Sequence, residues 1–359
     1  MVKKTRVMTD RQRVEALLNR EQPDRVPIYP FPFGFCALYT GGTIAETYNN
    51  PEVSFVAQRK TCQDFGWIFM PWIAYAAVGA WEFGGEIRWP SGDYAQAPSV
   101  GRHPVETPDD ALRLELPDIE TAGIVPIQMA FNRLASRERL DNEPFNVSCY
   151  AGGSFSLAAN IPGVDRFMKW LLKRPDAAHH LLGLATDYEI EIARHWKNTF
   201  GTDRVLPFDW EPVSANHIIS PMQFEEFALP YLKDAHERML AMGYKTLFTH
   251  ICGEHESNLP FWAQVPMGNP GFVHFGCEVD LETAAQYFPE DIIMGNLDSS
   301  ILQVGTPQEV YEATRKVVEK GKRLRNGYVF SCSCELPPRA PKENVLAMNR
   351  AVDDFGWYD

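Results

Sequence analysis

From about residue 140 to the end of the chain, short apolar runs alternate with amphipathic helical stretches, and this alternation limits the fold more than any other feature. The runs are PFNVSCY, RVLPFDW, YKTLFTH, GFVHFG, DIIMGNL and GYVFSCS. Repeated strand-helix units of this kind build a parallel sheet. The helices between them carry readable ends. Ser220-Pro221 opens one that Gly243 closes, and Thr306-Pro307 opens another that Gly321 closes. Two earlier runs, RVPIYPF and GWIFMPW, bring the strand count to eight. Eight units in one chain predict a closed (β/α)8 TIM barrel, an α/β fold spanning residues 1–359 as a single domain. A doubly wound open sheet would give a similar one-dimensional pattern.

At 359 residues and 45% hydrophobic content the chain can bury a large core. Between the early runs and the regular part lies WEFGGEIRWPSGDYAQAPSVGRHPVETPDD, rich in Gly, Pro and aromatic residues. It predicts a hairpin excursion near the barrel mouth, placed to cap a substrate. No internal repeat, low-complexity tract or linker marks a second domain.

With 34 basic and 47 acidic residues the net charge is -13, which opposes binding to nucleic acid or an anionic membrane. Small molecules and proteins are the expected partners, and the oligomeric state, a homodimer included, is left open. The first residues are charged and amphipathic, and no apolar run approaches the roughly 20 residues of a membrane span. A cytoplasmic protein is expected. In that setting the seven cysteines, at 36, 62, 149, 252, 277, 332 and 334, read as thiols or metal ligands rather than disulfides.

Three of the ligand-type residues stand at predicted strand ends: His250 and Cys252 in FTHICGE, and Cys334 in SCSCELPP. Side chains at i and i+2 of a strand share a face, so His250 and Cys252 can converge on one ion. Three distant ligands leave a fourth position open, as in catalytic rather than structural zinc sites. Buried cysteines and an ordinary core histidine are the alternative. Cys332 has the same i, i+2 relation to Cys334, but Cys334 directly precedes the Glu335-Leu336-Pro337-Pro338 turn and is the preferred ligand. Cys332 and the remaining cysteines are assigned to packing.

Other polar residues fall at predicted strand ends, where barrel active sites are built. Asp209 and Glu278 are the candidate catalytic carboxylates, with Glu211 beside them. Asn296 and Asp298, together with Phe33, Tyr150 and Trp210, are the candidate substrate pocket. His217 is a possible base. Each polar residue has capping or loop anchoring as its alternative role. A wider aromatic set, Phe31, Phe33, Phe35, Tyr150, Phe155 and Trp210, would suit a mouth that receives a flat macrocycle.

These residues resemble the uroporphyrinogen decarboxylase superfamily, and within it the zinc-dependent methyltransferases that exchange methyl groups with a corrinoid protein. The resemblance runs from Arg11-Gln12-Arg13-Val14 and Asp24-Arg25-Val26-Pro27 through Ile219-Ser220-Pro221 and Leu229-Pro230-Tyr231. It continues through His250-Ile251-Cys252-Gly253, Gly295-Asn296-Leu297-Asp298 and Gly305-Thr306-Pro307 to Cys334-Glu335-Leu336-Pro337-Pro338. It implies a (β/α)8 barrel, Zn2+ held by His250, Cys252 and Cys334, and a corrinoid carried by a partner protein. It also implies a small methyl donor or acceptor; since two cysteine thiolates would cancel the charge of the ion, a zinc-activated thiol is preferred over a methoxylated aromatic, and a decarboxylase or lyase of the same superfamily is the further alternative. The chain departs from the decarboxylases in YPFPFGFCALYTGG, which has no arginine to hold substrate carboxylates. It departs from relatives again in carrying Cys-Ser-Cys where Pro-Gly-Cys is common.

Overall fold

The computed structural model describes residues 7–91, 97–150 and 152–358. All six apolar runs after residue 140 form strands: β3 (Val147–Tyr150), β4 (Val205–Trp210), β5 (Phe248–Ile251), β6 (Phe272–Phe275), β7 (Ile292–Leu297) and β8 (Tyr328–Cys332). They pair in parallel in simple chain order, β3 to β8. Helices separate them, as right-handed β/α units require.

The remaining two staves of the (β/α)8 barrel differ from the predicted strands. RVPIYPF lies parallel to β8 through a single bridge between Ile28 and Phe330. Tyr29 N–H donates to Phe330 O at 2.9 Å, and Phe330 N–H to Pro27 O at 2.9 Å. GWIFMPW follows it, with Ile68 N–H donating to Ile28 O at 2.8 Å. Against β3 the contact is made by side chains: Ser148 Oγ donates to Pro71 O at 2.6 Å, while Ser148 N–H turns to Asn132 Oδ1 at 3.1 Å. Pro27, Pro30, Pro32 and Pro71 have no N–H to offer, so these segments complete the cylinder without forming a continuous ladder.

The predicted hairpin is present, with β1 (Glu86–Arg88) antiparallel to β2 (Ser99–Arg102) and Ile87 opposite Val100. Residues 92–96, within the expected turn, lie outside the described residues. The excursion leaves the carboxyl end of the second stave and is anchored beside the mouth. Buried Glu82 accepts from Tyr75 Oη at 2.8 Å and Gly79 N–H at 2.6 Å, and His103 Nδ1 meets Asn160 O at 3.0 Å.

The helix opened by Ser220-Pro221 runs Pro221–Gln223, widens to one π turn over Phe224–Ala228, and continues as Leu229–Ala241. The widening has a local cause. Pro230 cannot bond four residues back and its ring would strike that carbonyl; a π turn relieves both conflicts. Gly243, at φ +102°, ends this segment as expected. Gly321 acts differently from the expectation, because the helix Pro307–Gly321 runs through it. A Cβ there would lie 2.2 Å from the ring of Tyr328. Gly321 therefore permits close packing of helix on β8 rather than a left-handed cap.

The barrel interior is aromatic. Strand alternation turns Phe208 and Trp210 of β4 and Phe248 and His250 of β5 inward. Phe31, fully buried at the end of the first stave, reaches eight of these interior rings, with centroids between 4.8 and 6.3 Å away. Trp72 fills the space between Phe33 and Phe208, 4.2 Å from each. No described helix is long and apolar enough to cross a membrane.

Replacing Gly321 by Ala should destabilise the protein by about 1–3 kcal/mol, the usual range for an overpacked contact. Urea unfolding should show a lower midpoint at unchanged slope; an unaltered midpoint would mean that the Tyr328 ring yields freely.

Candidate metal centre

His250 arrives on the inward face of β5, and Cys252 follows just beyond the strand end. Gly253, at φ +91°, then turns the chain away. Cys334 comes from the segment after β8, held by Ser299: its N–H donates to Ser299 Oγ at 3.2 Å, and Ser333 N–H donates to Leu297 O at 2.6 Å. The donor atoms of His250, Cys252 and Cys334 all lie within 4.8 Å of one another. Zinc bonds of about 2.0–2.3 Å place tetrahedral donors roughly 3.5–3.8 Å apart, so the three could close on one ion with small side-chain movements.

The chemistry of the donors fits as well. His250 Nε2 is buried and has no hydrogen-bond partner. Its Nδ1 lies 2.5 Å from Nδ1 of His274, whose Nε2 is 2.8 Å from Cys332 O. The two sulfurs face each other. The hydrogen bond from Cys252 holds Cys334 well below the usual thiol range, while the same contact and burial push Cys252 well above it. A divalent cation held here would favour the thiolate form of both sulfurs. Glu335, next in the chain, is half-buried and accepts from Gly34 N–H at 2.9 Å. Burial, with the charge of Cys334 adding to it, raises its carboxyl to about 8.

The other predicted site residues are placed less uniformly. Asp209 does not face the mouth. It pairs in register with Thr249 while Trp210 pairs with His250, so alternation sends it to the outer side of β4. There its Oδ2 meets His236 Nε2 at 2.9 Å, both groups buried, and His236 Nδ1 meets Pro266 O at 2.8 Å. Asp209 is thus a strand-to-helix tie, not a group of the site. Glu211 is also turned away, accepting the N–H groups of Phe155 and Ser156 at the start of the helix Ser154–Asn160.

Glu278 is exposed on the rim, its Oε2 only 2.3 Å from where a Cβ on Gly276 would stand, and its charge acts on Cys252. It remains beside the triad. His217 rests against Gly253 on the exposed rim. Asn296 and Asp298 fall outside the aromatic interior. Asn296 Nδ2 donates to Gly276 O at 3.0 Å and Val279 O at 2.7 Å, fixing the loop that carries Glu278, and Asp298 caps the helix Ser299–Val304. Both line an outer cleft of about 700 Å³ over the helix Pro307–Gly321.

Among the aromatics, Trp210 stands 5.2 Å from the His250 ring, whereas Phe33 packs on Trp72 and Phe31 at 4.2 and 4.8 Å, and Tyr150 on Trp72 and Phe208 at 5.9 and 5.4 Å. Phe35 and Phe155 are not on the mouth. Phe35 packs on Phe65 and Trp67, and Phe155 on Phe167, within the helical layer. Cys332 is fully buried below Cys334.

Two histidines escaped the sequence reading. His274 sits opposite His250 in the β5–β6 register, and a polar residue inside the apolar run GFVHFG was the available signal. His255 is buried behind Cys252, where its Nδ1 accepts from Trp262 Nε1–H at 3.1 Å. Burial lowers its pKa to about 3 despite the facing carbonyls of Cys252 and Glu211. It is a neutral brace for the loop.

The chain is similar to several named proteins. The chain is 27% identical over 268 residues to the methylcobamide:CoM methyltransferase MtbA of Methanosarcina mazei, covering 74% of each sequence. It is 26% identical over 276 residues to the methylated-thiol–coenzyme M methyltransferase of the same organism, covering 76% of this chain and 68% of that one. A uroporphyrinogen decarboxylase of Coxiella burnetii is 25% identical over 277 residues, 72% and 71% of the two chains. The expectation of a methyltransferase agrees with the names of the first two. In three dimensions a methyltransferase from Methanosarcina mazei superposes with a TM-score of 0.81 at 21% identity, covering 97% of this chain and 99% of its own, which bears out the barrel fold. Residues 9–355 match the family described as uroporphyrinogen decarboxylase (URO-D), and the chain belongs to that family.

Proposed function

We propose that this protein is a zinc-dependent methyltransferase that moves a methyl group between a corrinoid on a separate protein and a small thiol. The observation that carries the reading is the convergence of the unpartnered His250 Nε2 with the Cys252 and Cys334 sulfurs at the open end of the barrel. These three side chains would hold the ion. When bound, zinc supplies the positive charge that keeps a substrate thiol ionised near neutral pH.

The net reaction in the thiol direction is R–SH plus methyl-cobalt(III), giving R–S–CH3, cobalt(I) and a proton. The carbon–cobalt bond breaks with both electrons left on cobalt. The chain's own residues support this displacement in three ways. Glu278, solvent-exposed and beside Cys252, accepts the thiol proton and passes it to water. Trp210 and Phe31 form a water-excluding floor against His250, at 5.2 and 5.4 Å. Two cysteine thiolates offset the charge of the ion, which keeps a bound sulfur nucleophilic and lowers Lewis acidity toward an ether oxygen.

Charge around the mouth favours an uncharged thiol. Residues 31–43, 211–220, 252–258, 276–280 and 298–306 hold no Lys or Arg but contain Glu211, Glu254, Glu256, Glu278, Asp280 and Asp298, and the segment 333–341 that carries Cys334 adds one acid, Glu335, and one cation, Arg339. An anionic acceptor would approach against this field. The aromatic floor favours a second reading, removal of methyl from a methoxylated arene, whose flat ring would stack on Trp210. Cobalt(I) corrinoid with 2-methoxyphenol, assayed for methylcobalamin, tests it.

Purified protein should contain about one tightly bound zinc per chain, and Cys252→Ser should lose both metal and methyl transfer while keeping its circular dichroism. A fully active protein free of metal would refute the proposal. With methylcobalamin as donor, 2-mercaptoethanol should be methylated about tenfold faster than 2-mercaptoethanesulfonate at low ionic strength, the gap narrowing with added salt. A faster sulfonate reaction would reverse the charge argument.

A further inference from the structure

We infer that His274 is a positioning residue for the metal centre, setting the tautomer of His250 and tying the two ligand-bearing strands together. The inference rests on the zinc reading above. It follows from which atoms can carry protons. The carbonyl oxygen of Cys332 can only accept, so His274 Nε2, 2.8 Å away, must donate to it. A neutral imidazole has a single N–H, which leaves a lone pair on His274 Nδ1. Across 2.5 Å stands His250 Nδ1, and two lone pairs cannot face each other at that distance, so His250 carries its proton on Nδ1. His250 Nε2 is then the bare nitrogen. It is the same atom that is buried and unpartnered beside the two cysteines.

Without this acceptor, nothing fixes the proton of His250 on Nδ1, and the other tautomer points an N–H at the incoming cation. The contact also has a mechanical side. Its far end is the backbone of Cys332, two residues before Cys334, so the histidine pair links the β5 ligand to the β8 ligand through β6. Phe31 covers both rings, with centroids 5.4 and 5.6 Å away, and Phe248 lies 5.9 Å from His274. Both imidazoles are fully buried. A polar ring in such surroundings costs desolvation that Leu or Phe would avoid, so packing alone does not account for His274.

The test compares His274→Leu with His274→Gln, since a glutamine amide can accept from His250 through Oε1 and donate to Cys332 O through Nε2. Zinc affinity is measured by chelator competition at fixed pH, and thermal stability with and without EDTA. The Leu variant should bind zinc roughly 10- to 100-fold more weakly while its metal-free melting temperature does not fall, and the Gln variant should recover most of the loss. Equal zinc affinity in parent and Leu variant would make His274 a core-filling residue and overturn the inference. Nitrogen-15 spectra of the metal-free parent read the tautomer directly, even if both variants fail to fold or the parent binds no zinc. A proton on His250 Nδ1 supports the relay, and one on Nε2 ends it. A parent without zinc but with the Nδ1 tautomer would sink the metal reading alone.

Discussion

The ring of Phe31 is the contact on which the barrel and its site both depend. Eight aromatic rings from three strands and both proline-rich staves surround it, His250 and His274 among them. Its carbonyl accepts from Leu336 N–H at 3.0 Å, so the same residue steadies the turn that carries Cys334 and Glu335. Its backbone is left-handed, at φ +62°, a conformation that costs a residue with a Cβ about 1–2 kcal/mol. Burial of a full aromatic side chain, worth about 1.5–3 kcal/mol, and the ring contacts offset that cost. Packing holds the imidazole from one side and the backbone holds the cysteine turn from the other.

Much of this architecture is legible in the chain. Six apolar runs become six strands because each is short, apolar and bounded by turn residues, and the Thr306 capping box marks its helix start without tertiary help. The first two staves read less well, since the prolines that interrupt their pairing do not change their hydrophobic pattern. Gly321 is ambiguous for a similar reason: a glycine at a helix end looks the same whether it caps the helix or makes room for a ring. The phase of β4 is hidden because all six of its residues are buried, so the pattern carries no inward–outward contrast. Asp209 and Trp210 are neighbours, however, and a period of two forbids both from lining one pocket. Placing Trp210 against His250 commits Asp209 to the helices. His274 is invisible for a different reason. Its role depends on register between two strands, and register is a property of the fold rather than of either run.

The carboxylates divide along the strand wall. Behind it, Glu189, Asp209 and Glu211 are buried close together; burial and the charge of Asp209 raise both glutamates well above their usual range. Glu211 caps the helix Ser154–Asn160 and Asp209 joins β4 to His236, so these acids organise the helical layer. In front of the wall, Glu278 stays in solvent beside Cys252. Strand geometry thus assigns similar side chains to different tasks. Asn296 serves the front indirectly by anchoring the loop on which Glu278 stands.

The two staves that lack a continuous ladder have one more consequence. Taken alone, β3 to β8 form a curved sheet with two free edges, and both edges are apolar strands whose backbone would readily recruit another chain. The proline-rich segments cover those edges while offering few donors of their own, so pairing stops at them. Stripping them away would leave sticky rims on which copies of the protein could stack into aggregates. The segments that complete the cylinder therefore also block edge-to-edge strand pairing between molecules.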